Sequence, residues 1–448
     1  MSDTIEIDGH EYPAEEQFHN SVHVLGGGTV FHVRPHLALS APAYGKTASI
    51  IQDLLLKKHG TLSKRHLTAM ASMGHGPETN ADVGKLLDTL VADPHTKVIF
   101  MSMALCDFEG AVGYEPTPVS EPWSSSAGVL VPESDSGKDQ PRLKSNKEHY
   151  LVLTPAEKLI GRIRKDRKDI FLVGFKTTAG ETADAQYMAG LKLLKGASCN
   201  LVLANDLHTK LNMVITPEQA RYHETTDRAE VLRGLVEMTM MRSKLTFTRA
   251  KVLPGDPVPW TDPRVPASLR TVVDHCIERG AYKPFMGATV GHFAVKVDDQ
   301  TFLTSRRKTN FNELRKTGLV LVEADWDDTV IAHGSKPSVG GQSQRIIFRE
   351  HPDVDCIVHF HCPKKPESKV PTRSQREFEC GSHECGRNTS TGLQKFGGVY
   401  AVMLDRHGPN VVFNKQADPQ EVIRFIEENF DLGGRTDDVK EWQKYAST

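Results

Sequence analysis

The sequence predicts an α/β protein: a parallel-sheet half followed by a second, layered α/β half. Three observations predict it. Apolar, β-rich runs alternate with helix-like segments through roughly the first 250 residues, the rhythm of strands joined by crossover helices. A proline-rich stretch then interrupts this pattern, and the alternation resumes beyond it.

The elements follow in order. The run HVLGGGT reads as a strand ending in glycines, and a helix follows at Lys46–His59. There Ile50, Ile51, Leu54 and Leu55 recur at helical spacing, Lys57 and Lys58 complement the negative end of the helix dipole, and Gly60 supplies a left-handed stop. VIFMSM, a helix near Pro155–Arg164, IFLVGF, a helix at Thr182–Lys195 and NLVLAND continue the series. Tyr114 to Pro141, rich in Pro, Ser and Gly, reads as a long mobile loop. Leu253 to Ser268 carries five prolines, each lacking a backbone donor, and reads as a boundary. The expected organisation is therefore a domain at 1–250, a linker at 251–268 and a domain at 269–448. In the last of these, strands are expected at HFAVKV, LVLVEA, CIVHFH and VYAVML, with an amphipathic helix near Pro419–Phe430. No internal repeat recurs at a fixed period.

Composition narrows the function. A chain of 448 residues with 38% hydrophobic and 25% charged residues has the material for two or three globular domains. The formal net charge of −2 creates no field that would draw nucleic acid or an anionic membrane. No apolar run reaches a membrane span, and the acidic N-terminus lacks the pattern of a signal peptide. Seven irregularly spaced cysteines do not make a secreted disulfide framework, so a reducing, cytoplasmic setting is expected. Twenty histidines direct attention to metal and acid/base chemistry.

In LGGGTVFHVRP the residues Gly26, Gly28 and Phe31 fall where a dinucleotide fingerprint needs three glycines, which disfavours a dinucleotide. A glycine run after a strand still lets backbone N–H groups approach a phosphate or carboxylate, or simply makes a tight turn. The segments GGTVFHVRP, LSAPAYGKTA, MALCDF, RLKS, LVGFKTT and KLLKGASCNLVLAND, in this order, resemble phosphopantothenoylcysteine synthetase over roughly residues 20–240. The resemblance implies a Rossmann-like domain that binds CTP or ATP with Mg²⁺ and joins a carboxylate to an amine. It places Gly27, Gly28 and Thr29 in the nucleotide turn, Ala104 and Asp107 at the base, Phe175 in the pocket wall, and Lys144, Lys192 and Lys195 at the phosphates. The family's Asn-x-Ser-Ser-Gly segment reads Ala41, Pro42, Ala43, Tyr44, Gly45 here, without the asparagine that would stabilise an acyl intermediate.

In the second half, HPDVDCIVHFHCP places His359 and His361 two apart at the end of an apolar strand, on one face. His407 also ends an apolar strand and precedes a glycine. Three neutral imidazoles with an open fourth position are the arrangement by which Zn²⁺ or a similar ion polarises a carbonyl. The surrounding order of MGATVGHFAVKVDDQTFLTSRRKTNFNEL, GSKPSVGGQSQRIIFREHPDVDCIVHFH and AVMLDRHG is similar to the class II aldolase/adducin family over roughly residues 265–430.

That resemblance implies a three-layer α/β/α domain with a divalent metal, Zn²⁺ by preference, on His359, His361 and His407. It further implies substrate-anion turns at Gly291, Thr304, Ser305, Arg306 and Ser338. The family's Pro-Ser-Ser-Glu reads Pro337, Ser338, Val339, Gly340, so its acid/base carboxylate is missing. Glu384 is the candidate substitute, with Asp405 and His292 behind it. Cys380, His383 and Cys385 could hold a second ion or merely pack a loop.

Three functions are consistent with these readings. The first is a metal-dependent lyase or isomerase of a phosphorylated or carboxylated polyol, fused to a ligase-like nucleotide domain. The second is a CTP- or ATP-dependent carboxylate–amine ligase as the main activity, and the third a non-catalytic binding or regulatory protein on both folds. By analogy with both families a homo-oligomer is expected, with small molecules rather than nucleic acid or membrane as partners.

Overall fold

The computed structural model describes residues 4–7, 10–13, 21–113, 135–146, 148–326, 329–339, 341–440 and 442. The chain divides into two compact units, one of Met1–Phe175 with Leu193–Val202, the other of Lys176–Lys192 with Leu203–Thr448.

The first sheet is built on β1 (Val22–Gly28), β2 (Lys64–Leu67), β3 (Val98–Ala104) and β4 (Phe171–Thr178), and continues with β5 (Leu201–Asp206), β6 (Asn212–Ile215) and β7 (Arg221–Thr225). Their order across the sheet is β7-β6-β5-β4-β3-β1-β2. The pairs β1–β2, β1–β3 and β3–β4 are parallel, and β6–β7 is antiparallel. Every residue of β1 is buried, as expected for a parallel strand with both faces covered. Helix α1 (Lys46–His59) connects β1 to β2 and stops at Gly60, whose φ of 58° and N–H bonds to Leu55 and Leu56 make the left-handed stop. Helix α2 (Asn80–Ala92) leads back across β1 to β3. The sequence reading passed over α2, although Thr79 and Asp82 form a capping box. Helix α3 (Ile160–Asp166) starts later than expected because Tyr150–Pro155 is a strand. Helices α4 (Ala183–Ala197) and α5 (Arg228–Arg242) complete this part.

Because the chain leaves β1 toward β2 on one side and returns to β3 on the other, β1 and β3 flank a topological switch point. The crevice at the carboxyl ends of such strands is where open α/β sheets bind ligands. Gly28 and Ala104 pair there.

The second sheet comprises β8 (Arg249–Leu253), β9 (His292–Lys296), β10 (Thr301–Ser305), β11 (Leu319–Trp326), β12 (Thr329–His333), β13 (Cys356–His359), β14 (Val399–Leu404) and β15 (Gly408–Phe413). The order is β8-β12-β11-β10-β9-β13-β15-β14, followed by Thr372–Arg373, with Gln394–Phe396 also pairing β14. Apart from parallel β8–β12 and the Thr372–Arg373 edge, the pairs are antiparallel.

Alternation sorts the side chains of this sheet into two cores. Phe293, Val295, Val358, Val411 and Phe413 pack with Leu269 and Val272 of α6 (Ala267–Glu278) and Ile426 of α9 (Pro419–Asn429). Ala294, Phe302, Ile357 and Val412 pack on the opposite side with Ile347 and Phe348 of α7 (Gly341–Glu350), against which α8 (His383–Gly392) lies. The unit is therefore a three-layer α/β/α arrangement, and both halves of the chain are α/β.

The proline-rich segment expected as a linker packs as part of the second unit. Val258 exchanges both backbone hydrogen bonds with Leu319, and Trp260 and Val265 enter the first of the two cores. Prolines are tolerated there because the segment lies along irregular and edge structure. The expected Tyr114–Pro141 loop lies outside the described residues except for 135–141.

Candidate metal centre

Register brings the histidines together. Across adjacent strands His292 of β9 pairs with His359 of β13, which pairs with Asn410 of β15. His361 follows β13 by two residues, and His407 lies in the turn joining β14 to β15. One ring nitrogen each from His359, His361 and His407 lies within 4.8 Å of the others, and all three residues are buried. His359 Nε2 is 3.2 Å from His407 Nε2. Close approach on the other side uses Gly291, at φ 111°, where a Cβ would come within 2.6 Å of the His359 carbonyl.

Hydrogen bonding sets the donor chemistry. His359 Nδ1 is 2.8 Å from the Pro409 carbonyl, which can only accept, so Nδ1 carries the proton and Nε2 presents its lone pair. Burial pushes the His359 imidazole down to about 4, against the opposing pull of the Pro409 bond, so the ring is neutral near pH 7. Two nitrogens 3.2 Å apart need a proton or a cation between them. Nitrogens ligating one tetrahedral Zn²⁺ at about 2.05 Å would be about 3.3 Å apart. Three imidazoles, a fixed tautomer and this spacing fit a divalent ion.

His292, also buried, stacks beside the triad with its ring centroid 4.7 Å from that of His359. Burial, and then His359, push its imidazole well below the ordinary value. Its Nδ1 faces the side-chain amide of Gln344 on α7.

The other predicted residues are placed as follows. The Thr304 hydroxyl lies 2.9 Å from Gln344 Oε1 and 3.1 Å from the Phe293 carbonyl. Ser305 is buried, and its carbonyl accepts from the Ser338 N–H at 2.9 Å. The Arg306 guanidinium is held by Ser335 Oγ and the Thr317 carbonyl. Glu384, the candidate base, directs its carboxylate to the backbone N–H of Thr246 at 3.1 and 3.2 Å. Asp405 is exposed beside Arg406. Position 340, where the family carries its carboxylate, lies outside the described residues.

In the other unit, Gly27 and Gly28 belong to β1 itself rather than to a turn beyond it. A Cβ on Gly28 would meet the Ala41 carbonyl at 1.9 Å, so this glycine admits the neighbouring backbone. Thr29 follows, with its N–H on the Ala104 carbonyl and its hydroxyl on Asn80 Oδ1. The Asn80 amide in turn donates to the Cys106 carbonyl. Asp107 is exposed and ion-paired with Lys158. Lys144 is exposed and Phe175 is half-buried in β4; on α4, Lys195 of this unit and Lys192, which falls in the second unit, are both half-buried.

Two contributors escaped the sequence reading. Gln344 carries no signal beyond its place on an amphipathic helix. Thr436, past the last predicted element, bonds through its hydroxyl to the His407 carbonyl at 3.2 Å and through its N–H to the His361 carbonyl at 3.4 Å. It braces both ligand-bearing turns.

Residues 273–365 match the family profile of the Class II Aldolase and Adducin N-terminal domain. No curated protein matches the chain. Among solved structures, the DNA/pantothenate metabolism flavoprotein from Streptococcus pneumoniae is 19% identical, covering 49% of this chain and 98% of its own, with a TM-score of 0.39. The C-terminal domain of the coenzyme A biosynthesis bifunctional protein CoaBC is 12% identical over 50% of this chain and 96% of its own, with a TM-score of 0.33. L-Fuculose 1-phosphate aldolase is 16% identical over 36% of this chain and 82% of its own, with a TM-score of 0.28. Among the described residues, no helix is long and apolar enough to cross a membrane.

Proposed function

We propose that the second unit is a metal-dependent lyase or isomerase of aldolase type, acting on a phosphorylated or carboxylated polyol. The observation that carries this reading is the convergence of three buried imidazoles within 4.8 Å, contributed by segments far apart in the chain. His359, His361 and His407 would hold the ion, which when bound supplies Lewis acidity for a carbonyl or enediolate oxygen. The residues themselves do the rest. The Pro409 carbonyl and Thr436 orient the ligands, burial excludes bulk water, and His292 provides a ring N–H or lone pair beside the ion. Against Glu384 as the base stands the engagement of its carboxylate by the Thr246 N–H. Metal analysis of protein purified without chelator tests the reading. About one equivalent of divalent ion is expected in the wild type and none in His361→Ala, and undiminished metal in that variant refutes it.

The topological switch point favours a second activity in the first unit. Gly28, Thr29 and Ala104 meet at the carboxyl ends of β1 and β3, the position for a CTP or ATP phosphate in a ligase-like site. Failure of both sites to bind ion or nucleotide would leave the non-catalytic reading.

A further inference from the structure

The triad is accompanied by a fourth buried imidazole, and its hydrogen bonding decides what that ring can do. A neutral imidazole has one donor nitrogen and one acceptor nitrogen, so the partner of Nδ1 determines the role of Nε2. In His292, Nδ1 faces Gln344 Nε2, an amide nitrogen that can only donate. The far end of the same amide, Oε1, lies 2.9 Å from the Thr304 hydroxyl. That hydroxyl has one hydrogen and also lies 3.1 Å from the Phe293 carbonyl, so it serves the nearer acceptor. Gln344 and Thr304 are both fully buried. The chain Thr304 to Gln344 to His292 therefore runs in one direction and leaves the proton of His292 on Nε2.

A second observation agrees. His292 stacks on His359, yet it is not part of the set whose nitrogens lie within 4.8 Å of one another. It sits beside the triad rather than within it.

We propose that Gln344 is a positioning residue that fixes His292 as the Nε2–H tautomer, making this ring a hydrogen-bond donor to an acceptor oxygen of the substrate and not a fourth metal ligand. The substrate half of this inference rests on the metal-dependent reading above, whereas the tautomer half does not. A ring N–H held beside the ion can donate to a carbonyl oxygen as negative charge develops on it.

The test uses the full chain, labelled with ¹⁵N-histidine and treated with chelator, in long-range ¹H–¹⁵N correlation spectra. The His292 signals are assigned by their loss in His292→Asn. The expected wild-type pattern is protonated Nε2 and unprotonated Nδ1. Gln344→Glu offers Nδ1 an acceptor and should reverse the pattern, freeing the Nε2 lone pair and changing metal affinity by roughly 10-fold or more in a Zn²⁺ titration. A wild-type pattern with the proton on Nδ1, meaning the amide is reversed, overturns the proposal without any variant. So does an unreversed pattern in a folded Gln344→Glu. If the tautomers behave as expected but neither protein binds Zn²⁺, the positioning role stands and the metal reading fails.

Discussion

Replacing Arg242 by Met should damage the second unit more than any surface change. The guanidinium is completely buried and 3.1 Å from Glu218, which is completely buried too. Its remaining donors reach the carbonyls of Gln375 and Arg376 at 3.0 Å, and Glu218 accepts from the Cys380 N–H at 2.5 Å. Burial alone would lower the Arg242 pKa, but the neighbouring carboxylates, Glu218 first and then Glu379, outweigh it and raise the value, so the guanidinium keeps its charge. Methionine fills much of the volume and leaves the Glu218 carboxyl buried without its cation. Breaking such a pair from one side costs about 3–5 kcal/mol, which for a unit of this size corresponds to a fall in Tm of roughly 6–20 °C. The double variant Arg242→Met/Glu218→Leu removes both charges and should be less destabilised than the single one, with a coupling of about 1 kcal/mol or more. Urea denaturation followed by fluorescence of buried Trp260 and Trp442 measures both. A single variant within about 0.5 kcal/mol of wild type, or a double variant that loses the sum of the singles, refutes the reasoning.

Three further outcomes are expected. His66 is held down to about 4 by burial and then by His23 and Lys64, so the unfolded chain binds the extra proton first. Stability of the first unit should be complete above about pH 6.5, fall as the pH drops toward 4, and lose part of that slope in His66→Gln, as denaturation at several pH values would show. Burial raises the thiols of Cys199 and Cys362 to about 12 and Cys385 to about 11, while Cys380 alone of the seven is not buried. Iodoacetamide at pH 8 should therefore label Cys380 first, and equal labelling of Cys385 in native protein would contradict this. CTP or ATP with Mg²⁺ should raise the Tm of the wild type and not of Lys144→Ala; an unchanged shift in that variant would put the nucleotide elsewhere.

The legible parts were those carried by local periodicity or by strand ends. His359 and His361 could be paired because two residues is the strand repeat. His407 could be added because it too ended an apolar run before a glycine. The α1 helix was readable from its apolar spacing and its stop. Three kinds of feature were not readable. The glycines of β1 looked like a turn because glycine weakens strands in general; only their neighbours in space, Ala48 for Gly26, Thr68 for Gly27 and the Ala41 backbone for Gly28, explain why a strand needs them here. The prolines of 251–268 looked like a linker because they remove donors, yet Trp260 and Val265 anchor that stretch in a core. Gln344 and Thr436 act through contacts 52 and 29 residues away, and no pattern along the chain announces such a partner.

The shared row of His292 and His359 ties chemistry to folding. Phe293 and Val358 point to one core, and their neighbours His292 and His359 emerge on the opposite side. Sliding either strand by a single residue would therefore exchange the side chains that face the two cores, taking Phe293 or Val358 from the partners it packs against in the same motion that withdrew an imidazole. A misaligned chain of this kind could not persist as a well-packed but inactive form, because whatever selects for a tight interior also selects for the histidine cluster.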